Sequence, residues 1–245
     1  MFKEGFFKKL LYFTLNLVKV VALICITKYV YLYMTLDELG RQQRTDKSTH
    51  KFLEVYDLEF NHLRDRPVNI LEIGVLLGSS LRMWKDYFSN GVIHGLDKAD
   101  KTQFIEERIL IEQGDQGKIE DLNNVFKNKQ FNIIIDDGGH TMIQQQRSLS
   151  CLLDRVTKDG YYVIEDLHTS YLHRQKTHNP TNCKTTLNLL YELSIFDPIH
   201  IENFLPYFTG YEISPQEILN IYKKISCIKL CFTNRKSATS IIRKK

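Results

Sequence analysis

Hydrophobic positions along the chain fall into two kinds of run. Short compact ones occupy residues 68–73 (VNILEI), 91–96 (GVIHGL), 109–111, 131–135 and 161–164, each bounded by glycine, proline or charge. Their length and β-branched content predict five buried strands. Between them the apolar residues recur at helical spacing. Leu81, Trp84 and Phe88 share one face of a helix over 77–88, and a second covers 119–126. Leu149, Leu152, Leu153 and Val156 step at i, i+3, i+4 and i+7, with a turn at Lys158, Asp159 and Gly160 before the fifth strand. Earlier, Thr35 to Glu38 opens a short helix, Phe52, Val55, Tyr56 and Phe60 keep helical spacing, and Pro67 ends that phase. Strands alternating with helices predict parallel βαβ units: an α/β, doubly wound, Rossmann-like and mostly parallel sheet covered on both faces. Past Tyr171 the chain is polar and unperiodic over 173–186, a candidate lid or acceptor-binding loop. A helix over 187–193 follows. Strands over 225–232 and 237–242 alternate with polar residues and predict an antiparallel edge.

Composition narrows the picture. With 245 residues and 43% apolar content, the chain can bury a real core. Net charge is +4, and the basic residues crowd the two ends, so the middle carries no basic stripe for nucleic acid. The five cysteines make no metal-binding pattern and read as reduced thiols.

In such sheets the chemistry collects where strands run out. The first strand ends in Glu72-Ile73-Gly74, with Gly78 four residues further on; this is not the G-x-G-x-x-G spacing of a dinucleotide site. The second ends in Asp97, 97−72 = 25 residues past Glu72, where a carboxylate can accept both hydroxyls of a ribose. Near the end of the third, Asp115 and Gln116 can hydrogen-bond an adenine edge. The fourth ends in IIDDGGH and the fifth in VIEDLHTSY.

Taken together, LEIGVLLGSSLRMW, GLD, GDQ, IIDDGGH and VIEDLHTSY resemble a class I S-adenosylmethionine-dependent methyltransferase. More narrowly, the chain is similar to the metal-dependent O-methyltransferases of macrolide sugars and their bacterial relatives, over roughly residues 35–172. TLDELG and TDKS, within 35–48, resemble that group as well. The resemblance implies that Glu72, Gly74 and Gly78 line the methionine part of the cofactor, with Asp97 on the ribose and Asp115 and Gln116 near the adenine. Asp136 is counted with the cofactor too, and Lys47 with the cofactor carboxylate. Glycines stand at 117 and 139, where relatives often carry serine; neither change removes a charge.

The acidic strand ends carry the central expectation. Asp136 and Asp137 leave one strand and Glu165 and Asp166 the next, 165−136 = 29 residues on. So many carboxylates in a small space repel unless a cation joins them. Hard oxygen ligands favour Mg²⁺, with Mn²⁺ or Ca²⁺ as substitutes. Asp136, Glu165 and Asp166 are the expected ligands. Asp137 is the alternative ligand, grouped with His140 as catalytic, or else a helix cap. An imidazole suits proton removal from an acceptor hydroxyl near neutral pH, which makes His140 the candidate base, as the resemblance also implies. His168 is the alternative base. The expected activity is methyl transfer from S-adenosylmethionine to a hydroxyl of a saccharide or glycosylated small molecule. The competing readings are a non-catalytic relative that binds the cofactor or a glycan at a membrane surface, and a dinucleotide or nucleotide-sugar enzyme.

Residues 1–34 stand apart from this domain, which covers 35–245. Residues 10–34 form a hydrophobic stretch interrupted by Lys19 and Lys28, which nine steps of about 100° put on opposite helix faces. No small-residue cleavage site follows. A membrane anchor and a helix packed on the domain or a partner both stay open. A cytosolic methyl donor favours a cytoplasmic domain with a surface-lying or re-entrant anchor, and a homo-oligomer is compatible with it.

Overall fold

The computed structural model describes residues 13, 16–22, 34–196, 206–234 and 236–245. Among them seven strands form one sheet: β1 Asn69–Ile73, β2 Val92–Asp97, β3 Ile109–Gln113, β4 Phe131–Asp136, β5 Val156–Ile164, β6 Ile225–Asn234 and β7 Ser237–Lys244. Their order is β3-β2-β1-β4-β5-β7-β6. The first five run parallel, and β7 enters antiparallel between β5 and β6. The expected sheet with an antiparallel C-terminal edge is the observed one.

Helices cover both faces. On one, α1 (Leu36–Gln43), α3 (Phe52–Phe60) and α4 (Ser79–Tyr87) bury Leu39, Tyr56 and Trp84 against Ile70, Ile93, Ile133, Ile135 and Val163. The short α2 (Lys47–His50) lies between α1 and α3 in the chain. On the other face, α5 (Ile119–Val125), α6 (Met142–Leu152), α8 (Thr186–Ile195) and α9 (Pro215–Lys224) bury Leu122, Leu149, Leu189 and Ile218 against Leu71, Ile134, Tyr162 and Ile164. The interposed α7 spans Leu172–His178. Successive strand residues point to opposite faces. The alternation is clean in β4, where Ile133 and Ile135 join one core and Ile134 the other. That parity decides where the acidic strand ends point.

Several boundaries differ from the sequence reading. The helix expected from residue 77 begins at Ser79, because Leu76 (φ 48°) and Gly78 (φ 69°) are left-handed and Gly78 N closes a turn on Val75 O. Val156 belongs to β5 rather than a helix face, and residues 158–160 are not a turn. They lie inside β5 where its pairing with β4 shifts register, with Asp159 at φ 60° absorbing the irregularity. The polar segment after Tyr171 contains α7. Most of the hydrophobic stretch 10–34 lies outside the described residues. Residues 16–22 are helical, with Leu17, Val18, Val20 and Val21 exposed. Among the described residues no helix is long and apolar enough to cross a membrane.

Candidate active site

The carboxyl ends of β1, β2 and β4 open onto a cavity of about 540 Å³, ordinary for a small-molecule site. Close backbone approach at its floor depends on Gly74. Its φ is +95°, and a Cβ there would lie 2.1 Å from Asp137 O. Gly74 N donates to Leu96 O at 2.8 Å and Asp137 N to Ile73 O at 3.0 Å, so the three strand ends are laced together. Loops after β4 and β5 are tied in turn: Thr169 Oγ1 donates to His140 O at 3.1 Å, and Glu165 N to Asp136 O at 3.0 Å.

Strand parity sends three of the acidic residues inward. Glu72 and Glu165 share a face with Ile70 and Val163 and meet Lys47 of α2 there. The Lys47 ammonium lies 3.1 Å from Glu72 Oε1, 2.9 Å from Glu165 Oε2 and 2.5 Å from Asp137 Oδ2. Trp84 Nε1 donates to Glu72 Oε2 at 2.8 Å, and Tyr56 Oη to Glu165 Oε1 at 3.1 Å. Burial opposes the charged lysine, yet Asp137, Glu165 and Glu72 together hold its pKa well above the usual value. Negative charge still exceeds positive, so burial and then the Asp137 charge push Glu165 up. Asp136 takes the opposite face. It accepts from Gln116 Nε2 at 2.5 Å and Tyr162 Oη at 3.3 Å, and burial pushes its pKa up to about 7.

The other two acidic residues face the cavity with His140. His140 Nε2 lies 3.4 Å from Asp166 Oδ2 and 3.9 Å from Asp137 Oδ1. One ligand atom from each of the three falls within 4.8 Å of the others. All three are about a fifth to a quarter exposed. His140 (φ 55°) and Asp166 (φ 54°) are both left-handed, a costly conformation that packing must enforce. His168 Nδ1 stands 3.6 Å from Asp166 Oδ1, and burial pulls the His168 pKa down against that carboxylate. The Nδ1 atoms of His140 and His168 are buried and make no hydrogen bond. Thr141 caps α6 by a reciprocal box with Gln144, so neither Asp137 nor His140 is its cap.

The remaining expected residues divide. Gly74, Asp97, Asp115 and Gln116 line the cavity, whereas Glu72 and Gly78 do not. Asp97 Oδ2 already accepts from Val75 N (3.0 Å) and Leu76 N (3.3 Å). Asp115 Oδ1 accepts from Gly117 N at 2.9 Å, which with Lys98 lowers its pKa. Gln116 spans Asp136 and Gly139 N, so its amide is engaged at both ends. Of the expected ligand trio, Asp166 alone joins the cavity group, where Asp137 and His140 complete it. Asp136 and Glu165 are bonded inside the domain. Lys47 was expected on the cofactor and is instead 1% exposed among carboxylates. Tyr56 and Tyr162 were not singled out for the site; each carried a signal only as a core position, Tyr56 of a helix and Tyr162 of the fifth strand.

The sheet order and the cavity at its carboxyl edge are those of the class I S-adenosylmethionine-dependent methyltransferase fold. Within that fold the chain is similar to O-methyltransferases of macrolide and polyketide sugars. It is 40% identical over 146 residues to mycinamicin VI 2''-O-methyltransferase of Micromonospora griseorubida, covering 56% of this chain and 37% of that one. Identity is 31% over 209 residues with 8-demethyl-8-(2-methoxy-alpha-L-rhamnosyl)-tetracenomycin-C 3'-O-methyltransferase of Streptomyces olivaceus, covering 79% of this chain and 53% of that one. The solved structure of MycE methyltransferase from the mycinamycin biosynthetic pathway, in complex with Mg and SAH, superposes with a TM-score of 0.69 at 31% identity, over 86% of this chain and 55% of that one. The chain thus spans about half the length of these relatives or less. No family model matches it.

Proposed function

We propose that the protein is an S-adenosylmethionine-dependent, divalent-metal-assisted O-methyltransferase acting on a hydroxyl of a saccharide or glycosylated small molecule. The convergence of Asp137, His140 and Asp166 at the wall of the cavity carries this reading. Two carboxylates, Asp137 and Asp166, half-buried and within one ion's reach, suit Mg²⁺ or Mn²⁺, and the imidazole of His140 beside them is placed for proton transfer. The backbone cradle at Gly74 suits a ligand pressed against the strand ends. A relative solved with Mg and SAH, and relatives named for sugar hydroxyls, support the same reading.

Bound together, the donor supplies an electrophilic sulfonium methyl and the ion a Lewis acid that lowers the pKa of the acceptor hydroxyl. Asp137 and Asp166 would hold the ion through carboxylate oxygens. His140 receives the hydroxyl proton at Nε2, which requires its resting proton on Nδ1. The cavity walls orient donor and acceptor and exclude water. Asp97 and Asp115 border the part of the cavity that suits the nucleoside. Use of this donor favours a cytoplasmic setting for the domain.

Transfer of labelled methyl from S-adenosylmethionine to a panel of glycosylated macrolides and free sugars tests the reading. Turnover that is lost with EDTA and restored by Mg²⁺ is expected. Binding of the donor without turnover on any acceptor, or turnover indifferent to EDTA, rules it out.

A further inference from the structure

The Lys47 ammonium is the feature that methyl transfer leaves unused. It is a buried cation standing between three carboxylates, one of which also faces the cavity. Asp137 is the shared member. Its Oδ2 is held by Lys47 at 2.5 Å, and its Oδ1 is turned toward His140 Nε2 at 3.9 Å. Lys47 therefore fixes the rotation of the Asp137 carboxylate. Through Glu165, Tyr56 and Thr239 the same network ties α2 and α3 to β5 and β7: Tyr56 Oη meets Glu165 Oε1 at 3.1 Å and Thr239 Oγ1 at 2.8 Å, and Thr239 Oγ1 donates to Ile164 O at 3.0 Å.

We propose that Lys47 is a positioning residue of the metal site, an internal cation that aims Asp137 at a divalent ion while holding down that ion's affinity. The proposal rests on the metal-assisted reading above. With no ion bound, Lys47 supplies the counter-charge that lets Glu72, Glu165 and Asp137 stay buried together. With an ion bound, it competes for Asp137 and repels the second positive charge across a few ångströms of low-dielectric interior. A site built this way keeps its geometry before the ion arrives and lets the ion leave. An acidic cluster without the lysine would bind the ion more tightly and depend on it for folding.

The test uses the full chain with Mn²⁺ alone as probe, following Mn²⁺ affinity by electron paramagnetic resonance and the melting temperature with and without the ion. Lys47→Met removes the charge. The variant is expected to melt at least about 5 °C lower without ion, to be stabilised by Mn²⁺ more than wild type, and to bind Mn²⁺ about tenfold more tightly. A merely structural lysine would leave the affinity unchanged or weaken it. Lys47→Gln keeps a hydrogen-bond donor for the carboxylates and carries the test if Lys47→Met does not fold. Unchanged or weaker Mn²⁺ binding in a folded neutral variant overturns the proposal. So does failure of both variants to fold in saturating Mn²⁺, because the ion should then replace the ammonium. Wild type that binds no Mn²⁺ overturns both this and the metal-assisted reading, whereas wild type that binds beside unresponsive variants overturns only the role of Lys47.

Discussion

Two acidic pairs end neighbouring strands, and within each pair the members have opposite fates. Asp136 and Glu165 are 0% and 2% exposed and find all their partners inside the protein. Asp137 and Asp166 are each 21% exposed and border the cavity. The cause is geometric. Asp136 is the last residue of β4 and Asp137 the next, so they point in different directions. Glu165 and Asp166 follow β5 directly, and the left-handed backbone of Asp166 turns it away from Glu165. Consecutive acids therefore do not make a four-carboxylate site here. One of each pair builds the frame and the other faces the chemistry.

The sharpest test replaces members of each pair by their amides. Asp137→Asn, Asp166→Asn and His140→Ala are expected to lower methyl transfer by about 10²–10⁴-fold, the range for lost general-base or charge-stabilising groups. Melting temperature should change little for Asp166→Asn and His140→Ala and drop measurably for Asp137→Asn, which also loses its contact with Lys47. Asp136→Asn should do the reverse. Its amide oxygen still accepts from Gln116, so activity should fall less than about tenfold while stability changes by about 1 kcal/mol. Kinetics and thermal melts on the four variants suffice. Equal rate losses for Asp136→Asn and Asp137→Asn would erase the division between frame and site.

Gly74 joins the two regions, because the backbone that carries Asp137 rests on it. Alanine at φ +95°, with its Cβ 2.1 Å from Asp137 O, forces the two loops apart. Gly74→Ala is expected to cost about 2 kcal/mol or more of stability. It should also abolish Mn²⁺ binding, since Asp137 would leave both Lys47 and His140. Chemical denaturation and Mn²⁺ titration check it. A variant as stable as wild type with intact ion binding would show that the cradle is not required.

How much of this was legible in the sequence follows from the same geometry. The five parallel strands and the antiparallel edge were readable because buried strands are compact apolar runs. The acids at their ends were readable because charge after such a run is conspicuous. Which acid of each pair faces the cavity was not, since that depends on the register at which each strand ends. Counting from Ile133 and Ile135 would have placed Asp136 on the face of Ile134, but only once the two faces were known. Lys47 was visible in TDKS, yet its burial follows from the fold of α1 to α3 over the sheet, a long-range contact with no local pattern. The helix α9 had a local signature that was overlooked: Ser214, Pro215 and Glu217 form a capping box with proline at the first helical position.

The frame settles its buried ionisable groups by opposite charge, as around Lys47, or by neutral hydrogen bonds, as around Asp136, and His94 marks its limit. His94 on β2 is 6% exposed, packs edge-to-face on Phe131 at 5.3 Å, and leaves Nδ1 without a hydrogen bond. Burial, with a smaller contribution from Lys129, lowers its pKa to about 4 against the opposing charge of Glu112, and among the described residues no carboxylate pairs with it as three pair with Lys47. An unfolded histidine gains its proton near pH 6.5, whereas the native one gains it only near 4. Between those values the unfolded chain binds more protons, so this contribution to stability is complete above pH 6.5 and is lost as pH falls toward 4. Other groups titrate in the same window, and the difference between wild type and His94→Phe isolates this one. Relative to wild type, His94→Phe should gain about 5–10 °C in melting temperature on going from pH 7.5 to pH 4.5. A melting-temperature difference that stays constant over that range would mean that His94 is protonated in the native state, and that the domain tolerates a buried cation without the carboxylates that surround Lys47.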